Sequence, residues 1–186
     1  MNIVTTDFPG LVIIEPSVFN DSRGYFFESY NLKDFLRNNI SFNPVQDNES
    51  SSQKGVIRGL HYQLNPMAQA KLIRVIRGSI LDVVVDLRKA SPTYGQWTSV
   101  ELNSMEKRQL FIPEGFAHGF SVLSIDAIIL YKCDNLYSPV HERGILYNDP
   151  DLGIDWKIDP GSKIISDKDR HNPLFKDAEM NFHFAL

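Results

Sequence analysis

Three observations predict an antiparallel all-β fold for this chain: short apolar or alternating runs, turn residues between them, and almost no helical spacing. The run Ile80–Leu87 shows the pattern most clearly. Leu81, Val83, Val85 and Leu87 fall on one side of an extended strand and Asp82, Val84 and Asp86 on the other, so one face is firmly apolar.

Taken in order, Leu11–Glu15 and Tyr25–Ser29 open the series of strands. Asn31 then caps a short helix in which Leu32, Phe35 and Leu36 stand at i, i+3 and i+4, ending near Asn38 and Asn39. Further strands are expected at Val56–Gln63, Leu72–Arg77, Ile80–Leu87, Gln96–Leu102, Gln109–Ile112, His118–Leu123 and Ala127–Cys133. Turns at Arg77-Gly78-Ser79 and Thr93-Tyr94-Gly95 flank the alternating strand. After Tyr137 the chain reads as loop, with Asn148-Asp149-Pro150 and Asp159-Pro160-Gly161, but Ile154, Trp156, Ile164 and Ile165 supply apolar anchors. A packed tail is therefore expected, within one domain spanning residues 1–186.

Composition narrows the function. Hydrophobic residues at 42% and charged residues at 23% suit a soluble globular protein, and no run approaches the roughly 18 apolar residues that a membrane helix needs. Met1–Asp7 lacks the basic and apolar regions of a secretion signal, so a cytoplasmic location is expected. Cys133 is the single cysteine; it can form no internal disulfide or cysteine-based zinc site and reads as a small core residue. A net charge of -4 with scattered basic residues argues against nucleic acid as a partner, while a small anionic ligand held by a few Arg and Lys residues remains compatible.

Chemistry concentrates in Arg58-Gly59-Leu60-His61-Tyr62-Gln63 and, beyond it, Lys71. A guanidinium, an imidazole and an ammonium on neighbouring strands suit proton abstraction beside a carbonyl. Strict alternation puts His61 on one face with Gly59 and Gln63, Leu60 and Tyr62 on the other, and Arg58 one residue off the His61 face. Gly59 permits close approach of a ligand or a second backbone. A second segment, Pro113-x-Gly115-x-x-His118, matches half of the signature by which metal cupins present an imidazole to a small barrel. The other half, His-x-His, is reduced to His61 with Gln63 in the second place, and two imidazoles fall short of the three or four ligands of a tight divalent site. No metal or cofactor is expected. Tyr131 and Tyr137 both offer a phenolic acid, and spacing does not choose between them.

Eight segments, in order, resemble the dTDP-4-dehydrorhamnose 3,5-epimerase family over nearly the whole chain: Arg23–Glu28, Gln46–Asn48, Arg58–Gln63, Gln69–Leu72, Asp82–Arg88, Ile112–Phe120, Asn148–Pro150 and Ser166–Asp169. The resemblance implies a cupin-type antiparallel jelly roll with minor helix, acting on a dTDP-linked 4-keto-6-deoxy sugar as a homodimer whose N-terminal strands pair across the interface. It also implies that His61 is the general base with Asp169 as its orienting carboxylate, that Tyr131 is the acid, and that Lys71 lies near the ketone oxygen. Arg58 and His118 would line the sugar or phosphate region. Arg23, Glu28, Gln46, Asn48, Glu142 and Lys168 would hold the nucleotide and diphosphate, and Tyr137 would stack on the thymine. Without the resemblance, Arg23, Glu28, Gln46 and Asn48 would read as a solvated turn or strand edge. Asp167, two residues from Asp169, is an equal candidate by spacing. Leu136, Tyr147 and Lys157 depart from the family's usual residues and touch no expected catalytic group.

The reaction so implied is 3,5-epimerisation of dTDP-4-dehydro-6-deoxy-D-glucose through an enolate. Its rivals are epimerisation at only C3 or only C5, a non-catalytic sugar-nucleotide-binding cupin, and a metal-dependent cupin isomerase or oxygenase. The joint presence of His61, Lys71, Tyr131 and Asp169 disfavours the binding module, and the missing ligands disfavour the metal enzyme.

Overall fold

The polar and apolar alternation folds into two facing sheets in the computed structural model, which describes residues 1–184. The strands are β1 (Asn2–Thr5), β2 (Val12–Glu15), β3 (Phe19–Asp21), β4 (Gly24–Phe26), β5 (Gln46–Gln53), β6 (Val56–Gln63), β7 (Lys71–Arg77), β8 (Ser79–Asp86), β9 (Trp97–Asn103), β10 (Gln109–Ile112), β11 (Phe116–Val122), β12 (Asp126–Cys133), β13 (Glu142–Gly144) and β14 (Ile164–Ile165). Two short helices, α1 (Leu32–Arg37) and α2 (Asp167–Arg170), complete the set with two single-turn 3-10 segments. One sheet runs β1-β2-β10-β7-β12-β5; the other runs β13-β6-β11-β8-β9, with β14 added in parallel to β6. All other pairings between these strands are antiparallel, as the jelly roll requires.

Three apolar layers hold the sheets. Between them, Ile73 and Val75 from β7 and Ala127 and Ile129 from β12 meet Ile80, Val84, Leu102, Phe120 and Val122 from the facing sheet. Outside the first sheet, Phe35 of α1, Ile40 and Phe42 cover Val12, Ile14, Leu72 and Phe111. Outside the second, Ile145, Leu152, Trp156, Ile165 and Phe182 of the tail cover Leu81, Val83, Val85 and Leu87. The apolar face of β8 read from the sequence therefore packs on the tail, and Asp82 and Asp86 on its other face are fully buried.

Several elements differ from expectation for identifiable reasons. The Tyr25–Ser29 strand is shortened to β4, because β4 pairs only with β3 and that register ends at Phe19 opposite Phe26. The helix is capped as read, Asn31 Oδ1 accepting from Lys33 N at 3.1 Å, but only Phe35 of its apolar trio is buried. Leu32 and Leu36 are exposed because Phe35 alone points at Phe42 and Phe111. β5, eight residues without an aliphatic side chain, is absent from the expected strands, yet it pairs with β12 along its full length from Gln46 opposite Cys133 to Gln53 opposite Asp126. In the tail Trp156 and Ile165 are buried anchors, whereas Ile164 is exposed.

One irregularity shapes β6. His61 lies opposite His118 and Arg58 opposite Phe120, so three residue steps on β6 match two on β11. The extra residue accompanies Gly59, whose φ is +128° and whose added Cβ would stand 2.5 Å from Gly119 Cα and 2.9 Å from the His118 carbonyl oxygen. Only glycine tolerates this geometry. Gly59→Ala is expected to lower the unfolding free energy by more than about 1 kcal/mol, read as a shifted urea midpoint at unchanged slope. An unshifted midpoint would show that the two strands separate freely.

Candidate active site

The inner faces of the strands are apolar at one end of the sandwich and polar at the other. On β12, Ala127 and Ile129 of the core are followed at two-residue intervals by Tyr131 and Cys133, and on β7 the inward row is Val75, Ile73, Lys71. Cys133 and Lys71 are register partners. From the facing sheet come Arg58 and His61 of β6 and His118 of β11. Two adjoining cavities of about 310 and 530 Å3 occupy this end, and His61, Lys71 and Tyr131 line both.

The irregularity at Gly59 corrects one reading. Strict alternation separated Arg58 from His61, but the extra residue restores their parity and both enter the same cavity, while Leu60 and Tyr62 point out to the tail. The Arg58 guanidinium is braced across the sandwich by β5, its Nε donating to Ser52 Oγ at 3.0 Å.

α2 brings the carboxylate. Ser166 caps the helix, accepting from Asp169 N at 3.1 Å, and Asp169 turns inward to near-complete burial. Its Oδ1 lies 2.6 Å from His61 Nε2 and its Oδ2 accepts from Gly59 N at 3.3 Å. Burial acts to raise the Asp169 pKa, but the hydrogen bonds and charge of His61 and the Gly59 N–H outweigh it, and the net shift is downward. Asp167 is exposed and does not reach His61, so the geometry resolves the two candidates that spacing left equal.

With Nε2 engaged by Asp169, His61 presents Nδ1 as its other ring nitrogen. Across the cavity, burial raises the Tyr131 pKa, the nearby Cys133 adds to this, and the Arg58 charge opposes it. Burial lowers the Lys71 pKa, opposed by Cys133, Asp82 and Glu142. No side chain among the described residues forms an ion pair with Lys71. His118 Nε2 is held at 3.0 Å by Asp82, a second imidazole–carboxylate pair that sequence reasoning missed; an aspartate inside the apolar run of β8 was the available signal.

At the cavity mouth Lys168 Nζ lies 2.6 Å from Glu142 Oε2, and the exposed Tyr137 donates to the same oxygen at 2.8 Å. Burial alone would raise the Glu142 pKa; these two partners bring it below the usual value. Gln46 accepts from Tyr137 N at 2.8 Å and donates to Asn48 at 3.0 Å. Gln63, at the second-histidine position of the metal signature, engages the Met67 and Leu136 carbonyls and Ser138 N. Among the described residues no group of three or more His, Cys, Asp or Glu side chains could hold a metal ion.

Arg23 and Glu28 are not brought to this cavity. Arg23 is solvent-exposed and paired with Asp21, and Glu28 accepts from Asn31 beside a separate cavity that also includes Met1, Tyr30 and Asp34.

A cupin-type jelly roll thus sets an imidazole, paired with the α2 carboxylate, opposite a phenol and an amine on the other sheet, and the chain is an isomerase. Comparison with known proteins makes the class specific. The family model described as dTDP-4-dehydrorhamnose 3,5-epimerase matches residues 5–177, and the chain belongs to that family. It is 50% identical to the dTDP-4-dehydrorhamnose 3,5-epimerase of Shigella flexneri, covering 96% of this chain and 98% of that protein. Identity to the enzyme of the same name from Methanothermobacter thermautotrophicus is 53%, covering 92% and 96%. The crystal structure of dTDP-6-deoxy-D-glucose-3,5-epimerase from Legionella pneumophila, in complex with dTDP-4-keto-L-rhamnose, superposes with a TM-score of 0.94 at 45% identity, over 99% of both chains.

Asp169→Asn is expected to lower turnover by at least about tenfold, since the amide removes the charge that favours the imidazolium, whereas Asp167→Asn stays within about twofold. Steady-state kinetics of the two variants check this. Equal losses would detach Asp169 from the reaction.

Proposed function

We propose that this single epimerase domain converts dTDP-4-dehydro-6-deoxy-D-glucose to dTDP-4-dehydro-L-rhamnose by two successive inversions, at C3 and C5, in dTDP-L-rhamnose biosynthesis. The observation that carries the reading is the opposition of His61, paired with Asp169 of α2, on one sheet to Tyr131 and Lys71 on the other, with His61, Lys71 and Tyr131 lining both cavities.

A proton on carbon beside a ketone is too weakly acidic for unaided imidazole, so the C4 oxygen must be stabilised as charge develops on it. His61 removes the proton, and Asp169 fixes its tautomer and balances the imidazolium. Lys71 donates to the enolate oxygen. Its lowered pKa makes it a more acidic donor than an exposed lysine, closer to what an enolate oxygen demands. Tyr131 protonates the carbon from the opposite face, and its raised pKa keeps that proton in place across neutral pH. Because C3 and C5 both flank C4, one base and one acid serve both positions if the ring readjusts between steps and solvent takes the proton from His61 and returns one to Tyr131. Arg58 and His118 line the sugar region, Gln46, Asn48, Glu142 and Lys168 hold nucleotide and diphosphate, and Tyr137 stacks on the thymine. Neither redox cofactor nor metal enters this scheme.

The remote position of Arg23 and Glu28 supports a homodimer in which the β3–β4 hairpin, with Phe19, Tyr25 and Phe26 exposed, reaches the partner's nucleotide end. Light scattering should give twice the mass of 21.2 kDa, and a monomer with full activity would refute this. The lone Cys133, buried and free, supports a cytoplasmic, reducing location.

His61→Asn is expected to reduce turnover by roughly 10²–10⁴-fold with little change in dTDP affinity. Tyr131→Phe keeps the ring and removes the acid, so in chelator-treated protein and deuterated water the substrate should gain deuterium at C3 or C5 faster than it inverts. Exchange and inversion remaining at the wild-type ratio would exclude Tyr131 as the acid, and loss of all exchange on chelation would exclude the metal-free scheme. Deuterium confined to C3, or to C5, would favour the single-position epimerase.

A further inference from the structure

The inward face of β5 is a row of four polar side chains at two-residue intervals: Gln46, Asn48, Ser50 and Ser52. Three have partners that shape the cavity. Gln46 holds the Tyr137 backbone, Asn48 donates to Cys133 Sγ at 3.8 Å, and Ser52 braces Arg58. Ser50 is different: its Oγ is buried and makes no hydrogen bond within the protein, although Ser50 lines the larger cavity with His61, Lys71, His118 and Tyr131. A hydroxyl can always rotate to satisfy an available partner, so a buried one left without any is unusual in a folded protein.

Its position indicates the occupant. Asn48 is the register partner of Tyr131 and Ser50 that of Ile129, so Ser50 stands one inward step deeper than the phenol on the same wall. Apolar side chains of the same cavity, Val56, Ile57, Phe120 and Ile165, suit the apolar edge of a 6-deoxy sugar. We propose that Ser50 contacts the substrate directly, its hydroxyl hydrogen-bonding a ring hydroxyl of the 4-keto sugar and fixing the ring relative to Tyr131. This assignment rests on the catalytic reading above and adds to it a residue that determines which carbon faces the acid. Nothing in the sequence marks Ser50, because β5 has no apolar face to reveal it as a strand.

The test compares Ser50→Ala with the wild-type chain, using the dTDP-linked 4-keto-6-deoxy sugar in deuterated water and, separately, dTDP alone. Loss of one neutral hydrogen bond should reduce kcat/KM by about 3–10-fold. The ratio of deuterium gained at C3 to that at C5 should move by about twofold or more, a change that loosened packing alone would not produce. Affinity for dTDP should stay within about twofold, which also reports an intact fold. A wild-type kcat/KM and ratio in Ser50→Ala would overturn the proposal. So would a fall in dTDP affinity matching the fall in kcat/KM, because the contact would then be to the diphosphate. A wild-type chain that exchanges no deuterium at either carbon would overturn the catalytic reading and this assignment with it.

Discussion

The site depends on the close passage of Gly59 over Gly119. Both positions exclude a Cβ: one at Gly59 would stand 2.5 Å from Gly119 Cα, and one at Gly119 would stand 2.7 Å from the Arg58 carbonyl oxygen and 3.1 Å from Trp156. Because the backbones approach this closely, β6 carries an extra residue opposite β11 and its pleat changes phase. Arg58 and His61 then both face the cavity, and the intervening Leu60 joins the buried layer under the tail. The same distortion leaves the Gly59 N–H free to donate to Asp169. One backbone feature thus orients the imidazole, the guanidinium and the carboxylate together. The tail is tied to it as well, through Ser121 Oγ donating to the Trp156 carbonyl at 2.7 Å and through β14 lying parallel to β6 just before α2.

The second constraint is the division of the interior into a dry end and a polar end. Ile73 and Val75 precede the cavity on the same face as Lys71, as Ala127 and Ile129 do for Tyr131. Desolvation is therefore the largest influence on both groups, and it favours the neutral form of each. In the proposed scheme the phenol so keeps its proton until a carbanion forms beside it, and the protonated amine is a stronger acid toward the developing oxyanion. Both groups are tuned by the apolar core behind them rather than by additional charged residues.

Elements whose two faces differ in polarity were legible in the sequence. β8 announced its apolar face through Leu81, Val83, Val85 and Leu87, and Asn31 marked the start of α1. β5 gave no such signal, because one face meets solvent and the other a polar cavity, so both are polar and period-two hydrophobicity vanishes. The Arg58 parity could not be read either: Gly59 is visible in the sequence, but Gly119 opposite it becomes informative only once β6 and β11 are paired. Asp167 and Asp169 were separated by a short capped helix, since Ser166 anchors the turn through Asp169 N and directs that side chain inward. Arg23 and Glu28 were legible only through the family resemblance, and a single chain leaves them at the surface or in a separate cavity.

The two-sheet arrangement bears on inversion itself. Inversion requires that the proton leave from one face of the carbon and arrive at the other; a proton returned to the face it left restores the original configuration. Here the imidazole belongs to β6 and the phenol to β12, and the spacing of those sheets is held by Ile73, Val84 and Ile129 in the shared apolar layer. Close packing makes that layer a stiff spacer, because a void or an extra methylene in it displaces the neighbouring backbone. In the proposed scheme the stereochemical outcome therefore depends on core packing as well as on the reacting groups. A cavity-lining residue such as Ser50 acts within a gap whose width the apolar core has already set.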